Sequence, residues 1–271
     1  MQGPHTLLLD NGSLEPAAAL ALRGLATKLS HQLGRTVEPV SLLHSSGIDP
    51  KFLDGRTAEI LVPALEQRLA AGQNDFIVVP LFFGPSQALT VYVPENVARL
   101  RTRYPALNLR LAPPLHAAGD VRLARILADH VNVELGAPKE VRVALVDHGS
   151  PVPAVTAVRN ELAAQLAALL GARVKAVVPC SMERRPESAY DFTAPLLADL
   201  LASPPWAESH VIVAMQFLLP GRHAGPDGHV AGICRRAQAT HPRLSTRLTA
   251  LVGAHPLLVE ILADRWSSAV L

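Results

Sequence analysis

Cysteine is nearly missing from this chain: Cys180 and Cys234 are the only two in 271 residues. They stand far apart and in no metal-ligand spacing. That excludes a zinc ribbon or iron–sulfur cluster legible in the sequence, and it fits a reducing compartment. Aromatic residues are scarce too, at 4%, too few for a platform on which single-stranded bases would stack. Lysine and arginine form no run that would follow a phosphate backbone, and the formal charge is only +2 with histidine neutral. Nucleic acid is therefore not an expected partner. No apolar stretch approaches the roughly 18 residues of a membrane span. The opening Met1-Gln2-Gly3-Pro4-His5 has no basic segment ahead of a secretory run. The expectation is a soluble, cytoplasmic protein that meets neither membrane nor nucleic acid.

What the chain does have is a repeat. Leu7-Leu8-Leu9-Asp10-Asn11-Gly12-Ser13 runs an apolar segment into a turn, and Ala144-Leu145-Val146-Asp147-His148-Gly149-Ser150 does so again, with His148 in place of Asn11. Val78-Val79-Pro80-Leu81-Phe82-Phe83 is answered by Val211-Ile212-Val213-Ala214-Met215-Gln216-Phe217. Ile126-Leu127-Ala128-Asp129-His130 is answered 135 residues later by Ile261-Leu262-Ala263-Asp264-Arg265. The length suits two similar lobes, and 49% hydrophobic residues suffice for a core in each.

Short apolar runs alternate with longer amphipathic ones. The pattern predicts strands near 6–10, 36–42, 75–82 and 107–112, then near 141–147, 173–179, 210–217 and 246–252. Helices are expected between them, most clearly over Pro153–Leu170 and Asp120–Glu134. Such alternation means βαβ units, parallel sheets and right-handed crossovers: an α/β protein. Gly136-Ala137-Pro138-Lys139-Glu140 reads as the joint, dividing the chain into 1–137 and 138–271. Ligands of open parallel sheets bind beyond the carboxyl ends of the strands. In the second half a polar residue follows each strand: His148, Glu183, His223 and His255. All four are expected at one edge. The corresponding first-half positions read as Asn11, His44, Ala88 and Asp120, so proton-accepting and metal-binding groups are concentrated in one copy.

These residues resemble the class II chelatases, which place a divalent metal in a tetrapyrrole, and among them the sirohydrochlorin cobaltochelatase/ferrochelatase family. The landmarks are His148-Gly149-Ser150, Met182-Glu183, Phe217-Leu218-Leu219-Pro220-Gly221-Arg222-His223, and Gly253-Ala254-His255-Pro256-Leu257-Leu258. The resemblance is strong in the second half and weakened in the first. It implies two Rossmann-like lobes related by internal duplication, each a four-stranded parallel sheet flanked by helices, with the macrocycle in the cleft between them. It also implies that His148 and His223 handle the metal and accept protons, with Glu183 as their acidic partner. An acidic residue commonly follows the second histidine in single-lobe relatives; Asp227 stands there, in an unusual Gly225-Pro226-Asp227-Gly228-His229 setting.

The chemistry fits these residue types. Insertion needs a weakly held ion, removal of two pyrrole protons, and a bent ring. Neutral imidazole ligates cobalt, iron and nickel and accepts protons near neutrality. A carboxylate orients the imidazole or adds charge to the ion. No resident cofactor is expected; the metal (cobalt, ferrous iron or nickel) and a tetrapyrrole are the substrates. Sirohydrochlorin is rich in carboxylates, so Ser13 and Ser150 at helix starts, and Arg222 with Arg184 and Arg185, are candidate substrate contacts. His44 and His229 read as incidental, and the two thiols as inert. The alternative is a chelatase-like protein that binds metal or tetrapyrrole without turnover. A third reading makes the Gly-Ser turns anion sites for a phosphorylated metabolite. A serine hydrolase is disfavoured, because neither serine sits in a Gly-x-Ser-x-Gly elbow. Two lobes in one chain allow a monomer and do not forbid a homodimer.

Overall fold

A computed structural model describes residues 3–136 and 140–270. The joint read at Gly136–Glu140, and the 137/138 boundary with it, turns on residues 137–139, which lie outside the described residues. Eight strands form two four-stranded sheets. The first contains β1 (His5–Asp10), β2 (Val37–Ser41), β3 (Asp75–Pro80) and β4 (Asn108–Leu111) in the order β2-β1-β3-β4. The second contains β5 (Val141–Asp147), β6 (Ala176–Ser181), β7 (His210–Met215) and β8 (Ser245–Leu248) in the order β6-β5-β7-β8. Every pairing is parallel. Helices α1 (Pro16–Leu33), α2 (Leu61–Ala70), α3 (Val93–Arg103), α4 (Arg122–Glu134), α5 (Pro153–Leu170), α6 (Leu197–Ala202), α7 (His229–Thr240) and α8 (Leu257–Val270) flank the sheets.

Most elements fall where the sequence puts them, and the differences have local causes. Helix α4 starts at Arg122 rather than Asp120 because the Asp120 carboxylate accepts the Arg122 N–H at 3.1 Å, making a turn ahead of the helix. Strand β6 begins late, at Ala176. Gly171–Arg173 adds a tight turn after α5, and the Arg173 guanidinium donates to the carbonyls of Leu169 and Leu170. Both faces of each sheet are covered, which is why the central strands read as unbroken apolar runs. In the first sheet Leu7, Leu9, Phe76 and Val78 pack with α2 and α3, and the opposite face lies under α1 and α8. In the second, Val146, Val213 and Met215 pack with α6 and α7, and the other face lies under α4 and α5.

The compact units are not the two halves of the sequence. One runs to Ala117 and resumes at Pro256; the other is Ala118–His255. Each half thus ends in a helix that belongs to the other unit, unlike the expected 1–137 and 138–271. The reason is apolar burial. Leu123, Ile126, Leu127 and Val131 of α4 are buried, with α4 against α5 and β7. Helix α8 is anchored in the first unit by Arg265, which donates to the carbonyls of Pro114 and Leu115, and by the Trp266 indole N–H, 3.0 Å from Thr6 Oγ1. Among the described residues, no helix is long and apolar enough to cross a membrane.

Candidate functional site

The strand order places β5 and β7 side by side with crossovers leaving in opposite directions, so the crevice lies beyond their carboxyl ends. Strand β5 ends at buried Asp147, and His148 is the first residue clear of the sheet. Gly149 then turns with φ 94°, and a Cβ there would fall 1.9 Å from the Glu183 carbonyl oxygen. Only glycine permits that approach. The Met182 N–H donates to the Asp147 carbonyl at 2.8 Å, and the Glu183 N–H to that of His148 at 3.2 Å. These backbone contacts hold His148 and Glu183 side by side.

Their side chains meet through His148 Nε2 and Glu183 Oε1, 3.3 Å apart and about half exposed. The other ring nitrogen, Nδ1, lies 2.9 Å from the Gly149 carbonyl. A carbonyl only accepts, so Nδ1 carries the proton and Nε2 of the neutral ring presents a lone pair toward a carboxylate. Two acceptors facing each other are stable only with a proton or a cation between them. Two donor atoms each about 2.1 Å from one ion, at an angle between a right angle and the tetrahedral value, lie about 3.0–3.4 Å apart. The spacing observed is that of such a pair.

His223 completes the cluster from the loop after β7. Its ring stands edge-on to that of His148, with centroids 4.6 Å apart. His229, the first residue of α7, also stands edge-on to the His223 ring at 4.8 Å, with the two Nδ1 atoms at 3.1 Å. The loop is cinched by the His229 N–H to Arg222 O and the Val230 N–H to His223 O. A Cβ on Gly228 would meet the His223 carbonyl at 2.8 Å. Arg222 Nε points at His229 Nε2, 3.4 Å away, so the proton of neutral His229 sits on Nδ1 and is donated to His223. Burial first, then the neighbouring His148 and His229, hold the His223 pKa below the ordinary imidazole value.

Under the pair is a buried polar block. Arg159 of α5 donates to Ser181 Oγ at 2.6 Å and to the Thr193 carbonyl at 2.8 Å, and lies 3.7 Å from Asp147. Ser181 Oγ donates to Asp147 at 2.7 Å. Burial pushes the Asp147 carboxyl above its usual range, opposed by Ser181 and Arg159.

The four expected residues do not all join. His148, Glu183 and His223 do; His255 pairs instead with α4, 3.3 Å from Asp129 and edge-on to His130. Asp227 faces solvent and reaches Arg235. His229, which the sequence marked as incidental, is in the cluster; its place six residues after His223 in a Gly-Pro-Asp-Gly turn was the only hint. The first-half counterparts also shift. A Cβ on Gly12 would meet the Leu43 carbonyl at 1.8 Å, as one on Gly149 would meet that of Glu183, so Leu43, not His44, stands in the place of Glu183. Likewise Leu115 N–H to Phe82 O matches Val252 N–H to Phe217 O, which puts Ala118, not Asp120, opposite His255.

Ser13 and Ser150 do not cap the helices. Their hydroxyls accept the N–H of Glu15 and Val152, the residues before Pro16 and Pro153, where the prolines already spare one donor. Ser150 lines a hollow of about 270 Å³ with His148, Glu183, Arg184, Arg185 and Tyr190. Arg184 pairs with Asp191, and Arg185 reaches the Tyr190 hydroxyl at 3.1 Å. A larger hollow of about 460 Å³ lies against α1 and β2 and includes none of these residues. Cys180 and Cys234 are buried free thiols, and burial pushes both pKa values up, that of Cys234 to about 11. Among the described residues no three histidine, cysteine or acidic side chains stand ready around one point for an ion. The His148–Glu183 pair is open, while the Nδ1 lone pair of His223 is engaged by His229.

A CbiX family model matches residues 142–269. No curated protein matches the chain. Among solved structures, SirB from Bacillus subtilis with Fe3+ is similar over 99% of this chain and 96% of its own, at 18% identity and TM-score 0.72. The sirohydrochlorin chelatase SirB from Bacillus subtilis subspecies spizizenii, in complex with cobalt, matches over 99% and 95% at 16% identity and TM-score 0.70. CbiX, described as the terminal enzyme for biosynthesis of siroheme in denitrifying bacteria, matches over 98% and 99% at 18% identity and TM-score 0.59. The CbiX match over residues 142–269 and the chelatase fold shared along the chain bear out the class II chelatase resemblance read from the residues.

Proposed function

We propose that this chain inserts a divalent metal, cobalt or ferrous iron, into sirohydrochlorin or a related tetrapyrrole, with His148, Glu183 and His223 handling the metal and the pyrrole protons. The observation that carries the reading is the His148–Glu183 pair, whose facing lone pairs stand at the spacing of two ligands on one ion. Two donors plus an engaged third make a site that takes an ion up loosely and gives it away, as insertion requires; a closed set of three or four would retain it. The family assignment of the second half and the cobalt and iron bound by similar proteins support the choice of metals. Imidazole and carboxylate bind both, so metal supply contributes to selection.

In this reading the ion sheds water as it meets His148 Nε2 and Glu183. His223 leaves His229 and offers its lone pair to the ion or to a pyrrole proton; its lowered basicity keeps it neutral to a lower pH than an ordinary imidazole. Ser13, Ser150 and Arg222 are assigned to the substrate carboxylates, Arg222 after release from His229. The test is anaerobic absorbance of the protein with sirohydrochlorin and cobalt, ferrous iron or nickel in turn, against a protein-free control. Many turnovers of accelerated loss of the metal-free spectrum are expected. A change that stops at one equivalent would instead identify a binding protein.

A further inference from the structure

We propose that Arg159 is a positioning residue for the metal-handling pair, joining the ends of β5 and β6 so that His148 and Glu183 are presented together. The inference rests on the reading above that these two side chains meet the metal. Arg159 is 1% exposed and is the largest fully buried side chain described. One nitrogen, Nη1, serves three structures. It holds Ser181 Oγ at the end of β6, the Thr193 carbonyl in the turn lining the hollow, and, at 3.7 Å, Asp147 at the end of β5. His148 follows Asp147 directly, and Glu183 is two residues beyond Ser181. Nε and Nη2 are fixed by Asn160 Oδ1, so the guanidinium plane is held from both sides.

The first unit supplies the control. Helices α1 and α5 each have 18 residues and begin at Pro16 and Pro153, 137 positions apart. At that offset Asp10, Gly12 and Ser13 match Asp147, Gly149 and Ser150, and Arg159 matches Leu22. Leu22 is buried at 3%. The fold therefore accepts an apolar residue at this place. Nor does tethering the loop require a buried charge: in the first unit Arg23, one position along and partly exposed, donates to the carbonyls of Leu53, Arg56 and Thr57. An apolar replacement for a buried ion pair commonly stabilises a protein. A guanidinium is nevertheless buried where the next residues outward are His148 and Glu183, and leucine where they are Asn11 and Leu43. The difference follows the site, not the scaffold.

The test uses the full chain with Arg159→Leu, the residue of the first unit; Asp147→Asn/Arg159→Leu, which leaves no stranded carboxylate; and Arg159→Lys. Thermal melts, cobalt titration and steady-state insertion are measured on each. Both leucine variants are expected to weaken cobalt binding and lower kcat by about 10–100-fold, the usual cost of losing an outer-shell support. KM for the macrocycle should stay within about twofold, and Arg159→Lys, which retains a donor for Ser181 and Thr193, should recover part of kcat. Wild-type cobalt affinity and kcat in the double variant, or a loss confined to the melting temperature, overturns the proposal. If the wild type binds cobalt but inserts none, the proposed reaction fails, and the cobalt affinities still decide the role of Arg159.

Discussion

The two units of this molecule turn the same corner with different chemistry. In both, a strand ends in a buried aspartate, a glycine with positive φ presses on a carbonyl of the neighbouring strand's loop, and a serine precedes a proline-led helix. In the first unit the corner carries Asn11 and Leu43, over Asp10 and Leu22. In the second it carries His148 and Glu183, over Asp147 and Arg159. The backbone constraint has been kept on both sides, and the imidazole–carboxylate pair on one. A duplicated fold thus separates what the turn needs from what the proposed reaction needs.

The widest break in the comparison should come from the histidines. His148→Ala and His223→Ala are each expected to lower insertion by about 10²–10⁴-fold, measured as loss of the metal-free macrocycle spectrum; near wild-type rates in both would place the chemistry elsewhere. Next are the buried aspartates, where the same substitution should act with the same sign and different size. Burial raises the Asp147 carboxyl too, but Ser181 and the Arg159 guanidinium oppose that rise, so Asp147→Asn should stabilise less in denaturant unfolding at pH 8 than the same change at Asp10. Asp10 has no such cation. Burial raises its pKa from 3.8 to about 6, and one carboxylate oxygen has no partner. A folded pKa above the unfolded one gives stability that is present below the unfolded value and lost as pH rises through the folded one. Each pH unit between those two values is worth on the order of 1.4 kcal/mol. Asp10→Asn should therefore stabilise by about 3 kcal/mol at pH 8 and by almost nothing at pH 3.5. Equal effects at the two aspartates would contradict the account of Arg159 as counter-charge.

The smaller effects concern the residue without a first-unit equivalent in this argument. His229→Ala should reduce cobalt affinity about tenfold, as expected for loss of a group orienting a ligand, read by titration. The same variant should move the acid limb of kcat/KM. With His229 present, the limb lies below the ordinary imidazole value of 6.5, because burial and two neighbouring imidazoles disfavour a charged His223. Removing one neighbour should shift the limb upward. An unchanged pH profile would detach His229 from His223.

Much of this was legible in the residues. Apolar runs located the strands, most plainly the central β1, β3, β5 and β7, because strands buried on both faces are apolar along most of their length. Pro153 and the spacing of Leu162, Leu166 and Leu170 set α5 over its whole length. His148, Glu183 and His223 were found by their places just past strand ends. What failed depended on distance across the fold. His255 also follows a strand, yet it turns to Asp129 on a helix from the other half of the sequence. His229 is a surface residue by local pattern and a ring contact in three dimensions.

Sequence by itself determined the repeat, the alternation of strand and helix, and which half keeps the ionisable groups, since period, turn chemistry and residue type are local properties of a chain. Only the tertiary structure decided which helix covers which sheet, that Leu43 and not His44 stands in the place of Glu183, and that a buried arginine lies under the His148–Glu183 pair. Those follow from filling both faces of each sheet and from pairing charges withdrawn from water, and both conditions are met by residues far apart along the chain.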